Sequence, residues 1–117
     1  MSIHGKIDYL EFPSTDMVAS KRFFAAAFDW SFEDYGADYV AFNNAGVAGG
    51  FYRSDKAVST ANGSALIVFF SDKLEATEEA VRQAGGTLVK PIFDFPGGRR
   101  FHFTEPGGSE FAVWSKV

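Results

Sequence analysis

The sequence contains no cysteine. That absence excludes disulfides, thiolate nucleophiles and sulfur-ligated zinc, while it leaves the redox compartment open. Histidine is scarce too: His4 lies in the N-terminal segment and His102 near the other end. With no serine nucleophile motif beside them, a Ser-His-Asp triad has little to rest on. Positive charge is outnumbered, eleven Lys and Arg against fifteen Asp and Glu, for a net charge of −4. Phosphate backbones are bound by clustered cations, so no nucleic acid partner is expected; a compact basic pair such as Arg99-Arg100 is too small to change that. No segment approaches the about 18 to 20 continuous apolar residues of a membrane helix. No N-terminal stretch joins positive charge to an apolar run. No membrane partner is expected, and a cytoplasmic location is the default expectation. Gly49-Gly50 and Gly97-Gly98 lack the strand-to-helix setting and Lys-Ser/Thr ending of a phosphate loop, so they read as tight turns or close backbone approaches.

What the chain does have is aromatic bulk. Fourteen Phe, four Tyr and two Trp stand against twelve Gly in 117 residues, with 46% apolar residues overall. Rings supply contact area with few rotatable bonds, and glycines let the backbone turn or close up. The length suits one domain, 1–117, built of parts that share a core.

Punctuation divides the chain into two similar halves. Ile7-Asp8-Tyr9-Leu10-Glu11-Phe12 reads as a strand stopped by Pro13, and Asp16 reads as the cap of a helix in which Met17, Phe24 and Phe28 recur at helical spacing to an end near Asp29. Strand candidates follow at 30–33, 38–43 and 47–52. Residues 53–63 are polar, without periodicity, and read as an exposed connector. The order then repeats: an apolar strand at 65–70, a helix opened by an Asp72/Glu75 capping box and stopped by Gly85-Gly86, then strands at 87–89, 100–104 and 110–114. The expectation is an α+β fold of two βαβββ modules, 7–52 and 64–115, forming a curved mixed sheet around a cavity.

Three segments carry a resemblance that covers nearly the whole chain. They are Asp8-Tyr9-Leu10-Glu11-Phe12 with Thr15-Asp16, the run Arg22-Phe23-Phe24-Ala25-Ala26-Ala27-Phe28-Asp29-Trp30 that looks like "FYxxxFGW", and Glu105-Pro106-Gly107-Gly108 that looks like "DPxG". In this order and spacing the chain resembles the vicinal oxygen chelate family, which includes glyoxalase I, extradiol dioxygenases, fosfomycin-resistance proteins and metal-free bleomycin-binding proteins. The resemblance implies that metal ligands, where a member has them, come from the first and last strands of both halves. Carried over, these positions fall near Tyr9 and Leu66, near Gly50 or Phe51, and at Ala112. None is His, Asp or Glu, so no metal or other cofactor is expected. Members of this size commonly pair, and the resemblance implies a homodimer.

Several side chains stand out as site candidates. Tyr9 and Glu11 are two apart on a strand and share a face. If Tyr9 looks into the hollow, so does Glu11, as a functional acid or as a paired structural one. Arg100 and His102 likewise share a face. Arg100 would bind an anionic or carbonyl oxygen, or neutralise Glu11 or Glu110; His102 would move a proton or be a satisfied sheet histidine. Glu11, His102 and Glu110 are also considered as a displaced metal site. Trp30, Tyr35, Tyr39, Phe51, Phe93 and Trp114 are candidate walls for a planar or apolar ligand.

Two functions fit these residues. One is a metal-free module that binds a small molecule. The other is an atypical glyoxalase-like lyase or isomerase, with Glu11 as base, His102 as acid or orienting donor and Arg100 as oxyanion clamp.

Overall fold

Asp16 decides where the first helix begins. Its backbone is extended, and its carboxylate accepts from the Ala19 amide at 3.1 Å, satisfying one of the free N–H groups of the first turn. At the other end Asp29 takes a left-handed conformation, φ 61°, and the Trp30 amide returns to the Phe24 carbonyl. The computed structural model describes residues 2–116. In chain order it contains β1 (Tyr9–Ser14), α1 (Met17–Phe28), β2 (Ser31–Asp34), β3 (Tyr39–Asn43), β4 (Ala48–Arg53), a 3-10 turn (Thr60–Asn62), β5 (Ile67–Phe70), α2 (Leu74–Gln83), β6 (Thr87–Phe95), β7 (Gly98–Thr104) and β8 (Glu110–Ser115).

The strands form two four-stranded sheets with the same plan. Sheet A runs β1-β4-β3-β2 and sheet B runs β5-β8-β7-β6. In each, the first and last strands of the half pair parallel and the remaining neighbours pair antiparallel. The α+β class and the repeated βαβββ order are therefore as expected.

Three details differ from the sequence expectation. Strand β1 continues through Pro13 to Ser14, which an edge strand tolerates because one of its sides carries no ladder. Strand β6 runs on to Phe95 through two register shifts, past the expected end at Val89. The Asp72/Glu75 capping box does not form. Helix α2 starts at Leu74 without a side-chain cap, the Lys73 amide donates to the Ser71 hydroxyl at 3.0 Å, and Glu75 is held instead by two bonds from Arg99.

One core serves both sheets. Phe12 of β1 meets Phe111 of β8 edge-on at 5.0 Å, and Phe24 of α1 packs on Phe12, Phe51 and Phe111 and stacks on Trp30 at 4.3 Å. Phe23 reaches Phe103 of β7 at 5.6 Å. Each fully buried Phe contributes about 1.5–3 kcal/mol relative to an exposed one. Strand parity does the rest. With Phe12, Phe111, Val113, Phe101 and Phe103 turned inward and buried, Glu11 on β1, Glu110, Ala112 and Trp114 on β8, and Arg100 and His102 on β7 occupy the faces turned away from the core.

Candidate functional site

On the outer face of sheet A, a glycine makes room for a tyrosine. Gly50 pairs with Glu11 on one side and Ala41 on the other. A Cβ at Gly50 would collide with the Tyr39 ring and hydroxyl. The bare backbone lets Tyr39 reach over β4 to donate to Glu11 Oε2 at 2.9 Å, while the Tyr9 hydroxyl lies 2.6 Å from that of Tyr39. Tyr39 has its proton committed to Glu11, so Tyr9 donates to Tyr39. The phenol of Tyr39 is raised well above its ordinary value, first by burial and then by these hydrogen bonds. Tyr35 joins the same face and is also raised, chiefly by the charge of Glu33. Tyr9, Tyr35 and Tyr52 remain exposed.

The outer face of sheet B carries a buried polar chain. Glu110 Oε2 lies 2.8 Å from His102 Nδ1, and both residues are buried. The Thr60 amide and hydroxyl donate to Glu110 at 2.8 and 3.1 Å. On the far side of the ring, Arg100 approaches His102 Nε2 from Nε at 3.2 Å and from Nη2 at 2.8 Å. A guanidinium has only donors, so Nε2 is the acceptor and Nδ1 carries the proton that goes to Glu110. Burial pushes the Glu110 carboxyl up, but the bonds from the Thr60 amide, His102 and the Thr60 hydroxyl outweigh it and hold it below its ordinary value. Phe93 and Phe95 flank Arg100, ring centroids 5.8 and 5.6 Å away, and Phe93 also leans on the His102 ring.

The structure thus gathers the candidate residues into two groups. Tyr9, Glu11, Tyr35 and Tyr39 lie together on sheet A, and Arg100, His102, Phe93 and Trp114 on sheet B. Within one chain the groups do not meet, because the shared Phe core lies between their sheets. Among the described residues Arg100 pairs with neither Glu11 nor Glu110, contrary to the neutralising alternative. Phe51 is fully buried in the core and lines neither outer face. Trp30 faces an apolar cleft of about 360 Å³ with Leu10, Phe12, Phe42, Ile67 and Phe69, beside the edge strands β1 and β5.

The connector is more than an exposed link. The Val58 amide donates to the Ser109 hydroxyl, the Glu110 amide donates to the Val58 carbonyl, and Thr60 clamps the Glu110 carboxylate. Lacking periodicity, 53–63 gave no sequence signal of this contact. Glu105 was also missed, though Glu-Pro-Gly-Gly marked its turn.

A divalent metal does not fit the positions the resemblance implied. Tyr9 is tied to Tyr39, Gly50 has no side chain, Phe51 is core, and Leu66 and Ala112 are apolar. Glu11, His102 and Glu110 do not converge, and no group of three or more His, Cys, Asp or Glu among the described residues is placed to hold a metal. No helix among the described residues is long and apolar enough to cross a membrane.

Known proteins share this architecture. The model of the Glyoxalase/Bleomycin resistance protein/Dioxygenase superfamily matches residues 6–113. "Putative glyoxylase CFP32" of Mycobacterium tuberculosis is 24% identical over a 130-residue alignment that covers 94% of this chain and 45% of that protein. The chain therefore spans less than half the length of the curated relatives it matches. The solved fosfomycin resistance protein FosX from Listeria monocytogenes superposes with a TM-score of 0.79 at 15% identity, covering 98% of this chain and 96% of the other. A glyoxalase-related enzyme from Fulvimarina pelagi gives 0.78 at 16% identity, covering 95% and 88%. At such identities the solved structures speak to fold alone.

Proposed function

Because the chain belongs to the glyoxalase/bleomycin resistance protein/dioxygenase superfamily, we propose that it is a metal-free small-molecule binding module that works as a cytoplasmic homodimer. The carrying observation is the pair of outer faces, each aromatic and each furnished with a few fixed polar groups, of which His102 and Glu110 on sheet B are themselves buried. Sheet A presents Tyr9, Tyr35, Tyr39 and Glu11. Sheet B presents Phe93, Trp114, Arg100 and His102. Such a mixture is the usual wall of a ligand site, but a wall needs an opposite wall.

A second copy would supply it. Sheet B exposes Val68, Phe70 and Lys90 beside Trp114 and the half-buried Arg100, while sheet A exposes tyrosines with Glu11 and Glu33. The two faces are complementary in charge and both carry exposed rings. A two-fold pairing that sets sheet A of one copy against sheet B of the other would enclose two equivalent hollows.

The same pairing is what the lyase or isomerase reading requires. Glu11 can act with His102 and Arg100 only across such an interface, whereas the His102–Glu110 dyad is complete in one chain and favours proton handling there. Light scattering on the eluted protein and an NMR-observed screen of small aromatic compounds test the proposal together. A strictly monomeric chain with no compound perturbing either face would overturn it.

A further inference from the structure

Among the described residues, Arg100 is a half-buried cation without an anion: no carboxylate lies within ion-pair distance of its guanidinium. Two of its nitrogens rest on one neutral acceptor, His102 Nε2, and its flanks rest on the Phe93 and Phe95 rings. A planar fork matched to two oxygens is here sharing a single nitrogen lone pair, a weaker arrangement than a charge-assisted bond to an oxyanion. Lys90, the register partner of His102, adds a second cation over Phe93 at 5.9 Å.

The imidazole beneath is fixed independently of Arg100. Glu110 takes the Nδ1 proton, and Thr60 holds Glu110 from the connector. His102 therefore keeps its Nε2 lone pair aimed at the guanidinium whichever way Arg100 turns. The charged groups facing the ring are Glu110 from β8, Arg100 from β7 and Lys90 from β6, while the connector contributes the neutral Thr60.

From this geometry we infer that Arg100 receives a small organic oxyanion, a carboxylate or phosphate on a planar apolar body, and that its departure uncovers His102 Nε2 as an acceptor facing the ligand. The apolar body would lie on Phe93, Phe95 and Trp114, the oxyanion would take the guanidinium fork with Lys90 beside it, and the freed Nε2 would accept a hydrogen bond from a donor on the ligand. The inference rests on the reading that this face binds a small molecule, and it names the chemical class.

Nitrogen-15 NMR of the imidazole and guanidinium groups in the full chain tests it, with benzoate, phenyl phosphate and benzamide as probes. The free protein should show His102 protonated at Nδ1 and bare at Nε2, and a proton on Nε2 alone would overturn the inference. Benzoate or phenyl phosphate should shift the Arg100 and His102 signals, the stronger of the two identifying the oxyanion, while neutral benzamide should not. Arg100→Gln should weaken that binding by about tenfold or more, with Arg100→Lys recovering part of it. Equal binding of benzamide, or benzoate binding unchanged by Arg100→Gln, would overturn the inference and leave the small-molecule reading standing. If none of the three probes binds, the inference falls, while the small-molecule reading is decided separately by the wider screen and the oligomeric state.

Discussion

The Ser20 hydroxyl donates to Glu105 Oε1 at 2.6 Å across 85 residues of sequence, and both partners are buried. Ser20 sits early in α1, and Glu105 opens the turn between β7 and β8. Around them the Ser14 hydroxyl bonds to Ser20, the Gly107 and Ser109 amides donate to Glu105, the Thr15 amide donates to the Gly107 carbonyl, and the Ser109 hydroxyl donates to the Pro13 carbonyl. A polar latch therefore joins the end of β1 to the last turn of the second half. Because it fixes one sheet against the other, it also fixes where the two outer faces point.

Removing the latch should be costly. Glu105→Ala leaves the Ser20 hydroxyl and the amides of Gly107 and Ser109 without their acceptor, and each unsatisfied buried donor costs about 1–3 kcal/mol. Gly107→Ala reaches the same place sterically, since a Cβ there would collide with the Ser14 and Ser20 hydroxyls. Urea denaturation should show both variants less stable than the parent with an unchanged slope. Parental stability in Glu105→Ala would mean that water takes over the acceptor role.

The two buried glutamates should leave opposite marks on stability against pH. Burial raises the Glu105 carboxyl above its ordinary 4.5 despite the bonds from Ser20, Gly107 and Ser109. A raised folded-state value favours the protonated form, so its stabilising contribution is full below about 4.5 and is lost as pH climbs through the folded value. Glu110 is lowered, so its contribution is present above about 4.5 and is lost as pH falls through its folded value. Stability measured against pH for Glu105→Gln and Glu110→Gln, each subtracted from the parent, should give difference curves of opposite slope. Curves of the same sign would contradict the assignment.

Much of the fold was legible because its signals are local. Asp16 as a cap, Asp29 as an end and the repeated strand order all follow from backbone chemistry within a few residues. The faces were legible as well, since Tyr9 with Glu11 and Arg100 with His102 follow from strand parity. What parity lacks is the relation between sheets. Nothing in the spacing said that Phe12 and Phe111 would meet and turn Glu11 and His102 to separate outer faces. Thr60 was invisible for a different reason: a polar connector has no period, and its contact with Glu110 is set by where the second sheet happens to run.

The sheet A network offers a spectroscopic test. Gly50→Ala should displace the Tyr39 ring, break its bond to Glu11 and bring its ionisation back toward the ordinary value of 10.0. Overpacking of this kind costs about 1–3 kcal/mol. An ultraviolet titration of the parent should therefore show its latest tyrosine step, beyond the smaller rise of Tyr35, lost in both Gly50→Ala and Tyr39→Phe. Retention of that late step in Tyr39→Phe would show that another phenol is responsible.

The pairing of copies makes the last prediction. Phe70 is 55% exposed at the edge strand β5 and packs edge-on against Trp114, on the face that also carries Arg100. If that face closes against sheet A of a partner, Phe70→Glu brings a carboxylate to a face whose exposed acids include Glu11 and Glu33. Like charges brought together in a partly desolvated contact oppose association, whereas in the monomer the same substitution only replaces an exposed ring by a solvated acid. Light scattering should find a dimer for the parent and a monomer for Phe70→Glu, with the variant's circular dichroism unchanged. A Phe70→Glu protein that remains dimeric would contradict the pairing of sheet A against sheet B.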